Sequence, residues 1–313
     1  MNALCTLISR VWRMLPASVD RRVRVIAWLS LAFQIILIGT GGAVRLTASG
    51  LGCPTWPQCT DGSFVNTPEM GIHGVIEFGN RMLTFVLSVI VILAFLFVIR
   101  FRKDRPELFR LTLVQGLSIP FQAVLGGISV LTGLNPYVVG AHFAVSIVLV
   151  IVTTILVWRV YRGHRGSLYA APGWYLAVAR LMAVFAGITV VFGILTTGSG
   201  PHAGDNSNPD KPAPRNGLNP ELLQHVHSWP AYATFGLTLV LLIGAIVLGE
   251  RRLRRFTLLL LGIEIVQIIV GVTQARLGLP EILVGIHLVL AGCLVAAVTA
   301  VQLALRRDEV VGQ

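Results

Sequence analysis

Four histidines and one glutamate supply the residue types from which this chain could build a reactive site: His142, His225, His227, His287 and Glu77. All fall in or beside long apolar runs, where an ionisable side chain is costly and usually faces a bundle interior or a polar cavity. An imidazole there either bonds to a neighbouring helix or ligates a metal. Glu77 also has two readings: it complements the positive end of a helix dipole, or it accepts a proton beside a reacting group. Asn80 follows Glu77 by one helical turn, on the same face.

An internal repeat ties these residues together. QAVLGGISVLTGLNPYVVGAH, Gln122 to His142, aligns without a gap on QIIVGVTQARLGLPEILVGIH, Gln267 to His287, at a shift of 145 residues. Gln122 meets Gln267, Gly126 meets Gly271, Gly133–Leu134 meets Gly278–Leu279, and His142 meets His287. Hydrophobic composition does not readily produce matches at Gln, Gly and His. Elsewhere the halves differ: EFGNRMLT carries Asn80 where LQHVHSWPAY carries His225 and His227. Those two histidines are about 200° apart around a helix, so they cannot both face the same partner. The strict shift favours His225. Pairing NRMLT with HSWPA favours His227, the preferred choice. Two facing histidines at equal depth in a four-helix bundle can supply both axial ligands of a haem. One half therefore offers two imidazoles, and the other offers only His142.

Holding these groups at one depth requires membrane-spanning helices, and the composition calls for them. The 313 residues are 55% hydrophobic and 12% charged, with a mean hydropathy of +0.78, whereas about a quarter of a soluble domain is charged. About 20 apolar residues cross about 30 Å of hydrocarbon. Eight runs fit: Val25–Val44, Val75–Ile99, Leu111–Leu131, Tyr137–Trp158, Leu176–Thr196, Ser228–Leu248, Phe256–Gly271 with a polar extension, and Ile282–Leu305. The expected fold is an all-α membrane protein of eight transmembrane helices in two four-helix bundles, residues 25–160 and 176–306. The repeats are parallel because the shift is an even number of spans. The first run is about twice as long as a signal-peptide apolar region and lacks an A-x-A-like site, so it reads as a retained span.

The net charge of +11 forms no nucleic-acid-binding patch. Instead, 19 of the 25 basic residues lie on one side of the spans, in the tail 1–24, the connections after spans 2, 4 and 6, and Arg306–Arg307. Basic residues are retained inside, so this side and both termini, with the connection 161–175 and the tail 307–313, are expected to be cytoplasmic. Asn80, His142, His227 and His287 then share the outer leaflet. Cys53 and Cys59 bracket the outer loop CPTWPQC. On that oxidising side they form either a disulfide or two inert thiols. Arg45, Arg81 and Arg276 lie on the outer side too, and either pair haem propionates or solvate the interface. Glu264, inside span 7, either bonds a neighbouring helix or takes part in proton movement.

These residues resemble the haem A synthase family (the CtaA/Cox15 group), and more closely its actinobacterial members. The matching pieces are VRLTASGLGCPTWPQC at 44–59, IEFGNRMLT at 76–84, QAVLGGISVLTG at 122–133, GAHF at 140–143, GPHAGD at 200–205, HVHS at 225–228 and GIHL at 285–288. The resemblance implies eight spans, a substrate haem O site in the N-terminal half and a haem b cofactor in the C-terminal half. The family's haem b ligands fall on His227 and His287, its substrate-side pair on Asn80 and His142, and its acidic residue on Glu77. Relatives carry E-Y-S-H-R where this chain reads E-F-G-N-R. Two arrangements fit that departure. His73, seven residues before Asn80 and about 10 Å further out along a helix, replaces the missing ligand, or His142 alone holds a five-coordinate iron. The family's second outer cysteine pair has no counterpart in residues 197–221.

The resemblance implies a membrane oxidoreductase that oxidises the C8 methyl of haem O to the formyl of haem A. It implies haem O synthase and cytochrome oxidase assembly as partners, and a multi-pass location in the cell membrane among its lipids. The alternatives are a di-haem b-type electron-transfer protein that leaves haem unmodified, and a transporter. The parallel halves and the lack of evident mid-membrane breaks argue against the transporter.

Overall fold

The computed structural model describes residues 10, 12–162, 165–205 and 212–308. Eight helices dominate it: α1 (Arg21–Leu46), α2 (Gly71–Ile99), α3 (Pro106–Leu131), α4 (Pro136–Tyr161), α5 (Gly173–Ser199), α6 (Pro220–Val247), α7 (Arg251–Arg276) and α8 (Glu281–Ala304). All eight are long and apolar enough to cross a membrane, and the chain is a multi-pass membrane protein. A 26-residue helix is about 39 Å long, more than the hydrocarbon thickness. The helices therefore outrun the apolar runs. α1 begins at Arg21, and α6 begins at Pro220, which puts His225 and His227 inside the helix.

Local chemistry sets several ends. Asp20, Asn135 and Asn219 accept the backbone N–H of Val23, Tyr137 and Leu222 and so cap α1, α4 and α6. Proline begins α3, α4 and α6, where its missing N–H has no helical partner to lose.

The repeat is visible in the backbone as well as the sequence. Gly133 and Leu134 have φ of 61° and 62°, and Gly278 and Leu279 have 76° and 63°. Leu134 N donates to Ser129 O at 2.7 Å, and Leu279 N to Gln274 O at 2.8 Å, 145 residues later. Two successive left-handed residues turn α3 into α4 and α7 into α8 within four residues; glycine supplies the first at little steric cost.

Packing follows the same pattern. In the first half α1 touches α2 and α4, and α3 touches α2 and α4, closing a ring; α5 to α8 close a second ring in the same order. The halves meet where α8 packs on α1 and α4, and α5 on α4. The two largest buried apolar clusters lie at the end that carries the basic connections, around Leu108, Val150 and Leu156 in one half and Met182, Leu241 and Leu260 in the other. At that end β1 (Arg165–Tyr169) pairs antiparallel with β2 (Arg306–Asp308). The histidines lie toward the opposite end of each ring.

Candidate functional site

In the C-terminal half, His227 on α6 and His287 on α8 face each other across the ring. Their ring centroids are 6.2 Å apart and their planes are 73° apart. Thr189 O on α5 accepts a hydrogen bond from His227 Nδ1 at 2.9 Å. A carbonyl only accepts, so Nδ1 carries the proton and Nε2 keeps its lone pair. Gln267 Nε2 on α7 donates to His287 O at 3.1 Å. Two glycines let the rings lie against the helices: a Cβ at Gly193 would stand 3.0 Å from His227 Cε1, and one at Gly271 3.1 Å from His287 Cε1. His225 is exposed on another face of α6 and does not join the pair.

This geometry fits an axially ligated haem. An iron–nitrogen bond of about 2 Å and about 1 Å from nitrogen to ring centre put two axial imidazole centroids about 6 Å apart. His287 Nδ1 is buried and has no hydrogen-bond partner. Among the described residues no three His, Cys, Asp or Glu converge on one point, so a bare ion lacks the three or four protein ligands it needs. Haem brings its own equatorial nitrogens and needs only the axial pair.

The N-terminal half repeats the frame with one substitution. His142 on α4 lies beside Gly126 on α3, where an added Cβ would be 3.5 Å from its Cε1. Gln122 Nε2 donates to His142 O at 3.3 Å, the counterpart of the Gln267 bond. On α2, Asn80 is half-buried and its Oδ1 accepts from Thr40 Oγ1 on α1 at 2.8 Å. His73 is exposed and shares a 2.9 Å hydrogen bond with Ser49 Oγ.

The loop between α1 and α2 closes over the histidine-bearing end of this half. Cys53 and Cys59 form a disulfide. Glu77, in the second turn of α2, accepts the Cys53 N–H at 2.6 Å and Arg81 Nη2 at 2.7 Å. Arg81 also donates to the carbonyls of Gln58, Cys53 and Thr55. Glu77 and Arg81 therefore clamp the disulfide loop to α2. Trp56, at the loop's centre, lies so close to α3 that a Cβ on Gly127 would run into its ring.

Arg45 and Arg276, also at the histidine-bearing end, divide. Arg45, near the end of α1, donates through Nε to His202 O at 2.7 Å and through Nη2 to Thr197 O at 2.8 Å. It joins the histidine-bearing ends of the two halves beside a cleft of about 330 Å³ that His202 and Glu281 also line. Gly50 N donates to Gly204 O at 2.7 Å, across the same junction. Burial holds His202 below the usual histidine pKa; Glu281 opposes this, and Arg45 and Arg215 add to it. Arg276 is exposed in the last turn of α7. Glu264, deeper on α7, is 4% exposed and accepts from Thr238 Oγ1 on α6 at 2.9 Å.

Sequence reasoning reached the histidines through the repeat but missed Thr40, Thr189, Gly193 and Trp56. Gly126, Gly271, Gln122 and Gln267 carried a signal as repeat matches. The others lie outside the aligned block, and only the packing shows what they touch.

Comparison with known proteins finds relatives and a family. The chain is 28% identical over 144 residues to a heme A synthase of Listeria welshimeri serovar 6b, covering 46% of this chain and 47% of that protein. It is 32% identical over 169 residues to a heme A synthase of Bacillus pumilus, covering 53% of each. A third, from Geobacillus thermodenitrificans, is 25% identical over 123 residues, covering 39% of this chain and 38% of the relative. The chain spans about half the length of the curated relatives it matches. The family model described as cytochrome oxidase assembly protein matches residues 24–299, from the start of α1 to near the end of α8. The chain belongs to this COX15-CtaA family.

Proposed function

We propose that this protein is a membrane oxidoreductase that converts haem O to haem A, oxidising the C8 methyl group to a formyl group for cytochrome oxidase assembly. The observation that carries the reading is the asymmetry of the repeat. One frame holds two imidazoles 6.2 Å apart, and its copy holds one imidazole and an asparagine. A resident electron carrier needs firm ligation on both faces, whereas a substrate must enter, react and leave. The names of the relatives support the same assignment.

His227 and His287 would hold haem b, with Thr189 and Gln267 fixing the side chain of one and the backbone of the other. When bound, that haem supplies one-electron transfer. His142 holds the substrate iron. Asn80 lies on the opposite side of the N-terminal ring, and Arg81, Arg45 and Arg276 contribute positive charge at the outer ends. His73, bonded to Ser49, stays at the loop rather than replacing the missing ligand. Glu77 serves the same site from one turn outward of Asn80. Its two hydrogen bonds use part of a carboxylate's roughly four acceptor positions, so it keeps the capacity to take up a proton. The sites lie toward the outer leaflet of the cell membrane, and haem O synthase and the oxidase assembly machinery are the partners.

Co-expression with a haem O synthase, followed by extraction and chromatography of the haems, tests the reading. Haem A is the expected product; unmodified haem alone would instead fit a di-haem electron-transfer protein. His227→Ala and His287→Ala should each remove the low-spin b-type spectrum. A spectrum that survives both changes overturns the C-terminal site.

A further inference from the structure

Asn80 is more than a missing ligand. It occupies the place that His227 holds in the other half, and it sits on α2, diagonal to His142 on α4 in a closed ring of helices. An amide at membrane depth is costly unless its polar atoms are paired. Thr40 pairs only Oδ1. Among the described residues Nδ2 has no protein acceptor, and it is not among the sealed, unpartnered polar atoms. In the structure the amide oxygen faces the Thr40 hydroxyl on α1, which can also reach Leu37 O at 3.4 Å, and with the oxygen placed there the N–H donors are left for another partner. A carboxamide is also a much poorer iron ligand than imidazole.

From this juxtaposition we infer that Asn80 is a hydrogen-bond donor to a small ligand held by the substrate iron on the face opposite His142, with Thr40 as the residue that positions the amide. The inference rests on the reading that haem O binds in the N-terminal half. It commits the substrate iron to one protein ligand, His142, and gives the asparagine that stands where the other half has His227 a chemical use. The bis-histidine site in the other half offers no open face, so an exogenous ligand reports on the N-terminal site alone.

Carbon monoxide is the probe. The full-length protein is co-expressed with a haem O synthase, purified in detergent and reduced, and its carbon monoxide difference spectrum and C–O stretch are recorded. Wild type should form an adduct that His142→Ala loses. Asn80→His should lose the adduct while retaining haem, because a second imidazole closes the open face. Asn80→Leu should keep the adduct with the C–O stretch moved to higher frequency, and Thr40→Val should move it the same way by less. Loss of one hydrogen bond should also speed ligand dissociation about 2- to 10-fold. Retained haem with no carbon monoxide adduct in wild type overturns the inference alone. An unchanged stretch in both Asn80→Leu and Thr40→Val does the same. If His142→Ala changes neither haem content nor adduct, the N-terminal haem site itself fails, and the inference falls with it.

Discussion

Gly271 and Gly126 occupy the same place in the repeat, yet the structure assigns them different tolerances. A Cβ at Gly271 would stand 3.1 Å from His287 Cε1 and 3.5 Å from its Nδ1; at Gly126 the nearest His142 atom would be 3.5 Å away. Carbon atoms prefer separations of about 3.5–4.0 Å. Gly271→Ala therefore forces the His287 ring to move by about 0.4–0.9 Å, whereas Gly126→Ala makes an ordinary contact. Overpacking of this kind costs about 1–3 kcal/mol. If His227 and His287 hold haem b as proposed, that cost corresponds to about 5- to 150-fold weaker haem retention. Alanine gains about 0.5–1 kcal/mol of helix stability over glycine, which offsets only part of that cost, so the variant should melt no later than wild type. Haem b per protein, measured by pyridine haemochromogen after purification, should fall for Gly271→Ala and stay unchanged for Gly126→Ala. Equal losses, or a larger loss at Gly126, would refute the argument that the tight fit of the His287 ring holds the cofactor.

Glu77→Gln keeps an acceptor for the Cys53 amide but removes the charged partner of Arg81, a hydrogen bond to an ionised group worth about 1.5–3 kcal/mol. Hydrogen exchange across residues 50–60 should accelerate while exchange in α7 and α8 does not change; unaltered loop exchange would remove the clamp from the account. Thr238→Val leaves Glu264 buried without its donor and should cost about 1–3 kcal/mol, read as a lower Tm in detergent. The same Tm as wild type would show that Glu264 finds another partner. His202, in the loop after α5 and beyond the spans, has a depressed pKa because it is partly buried, so the unfolded state binds more protons. Its contribution to loop stability is full above about pH 6.5 and is lost as pH falls below it. Loop exchange, corrected for intrinsic rates, should therefore quicken between about pH 7 and pH 5, and His202→Gln should flatten that dependence.

The sequence by itself determined the number of spans and the equivalent placement of His142 and His287 in the two halves. An apolar run of about 20 residues has one stable form in hydrocarbon, a helix whose backbone bonds are all internal. A gap-free repeat with matched Gln, Gly and His then puts two imidazoles at equivalent places, and the turns at Gly133–Leu134 and Gly278–Leu279 have the same shape. What periodicity could not give was the direction of each side chain across the ring. His225 and His227 have the same chemistry two residues apart, and only the packing of α6 against α5 turns His227 toward Thr189 and His287 while leaving His225 exposed. Glu77 suited a helix dipole as well as a reacting group. Tertiary structure gave it a third occupation, holding the disulfide loop through Cys53 and Arg81. Arg45 likewise turned from a surface charge into a tie between the halves through the carbonyls of Thr197 and His202. Local composition sets which segments are helical because the membrane enforces it residue by residue. Which polar groups meet depends on helices far apart in the chain, and that is decided only when the two rings close.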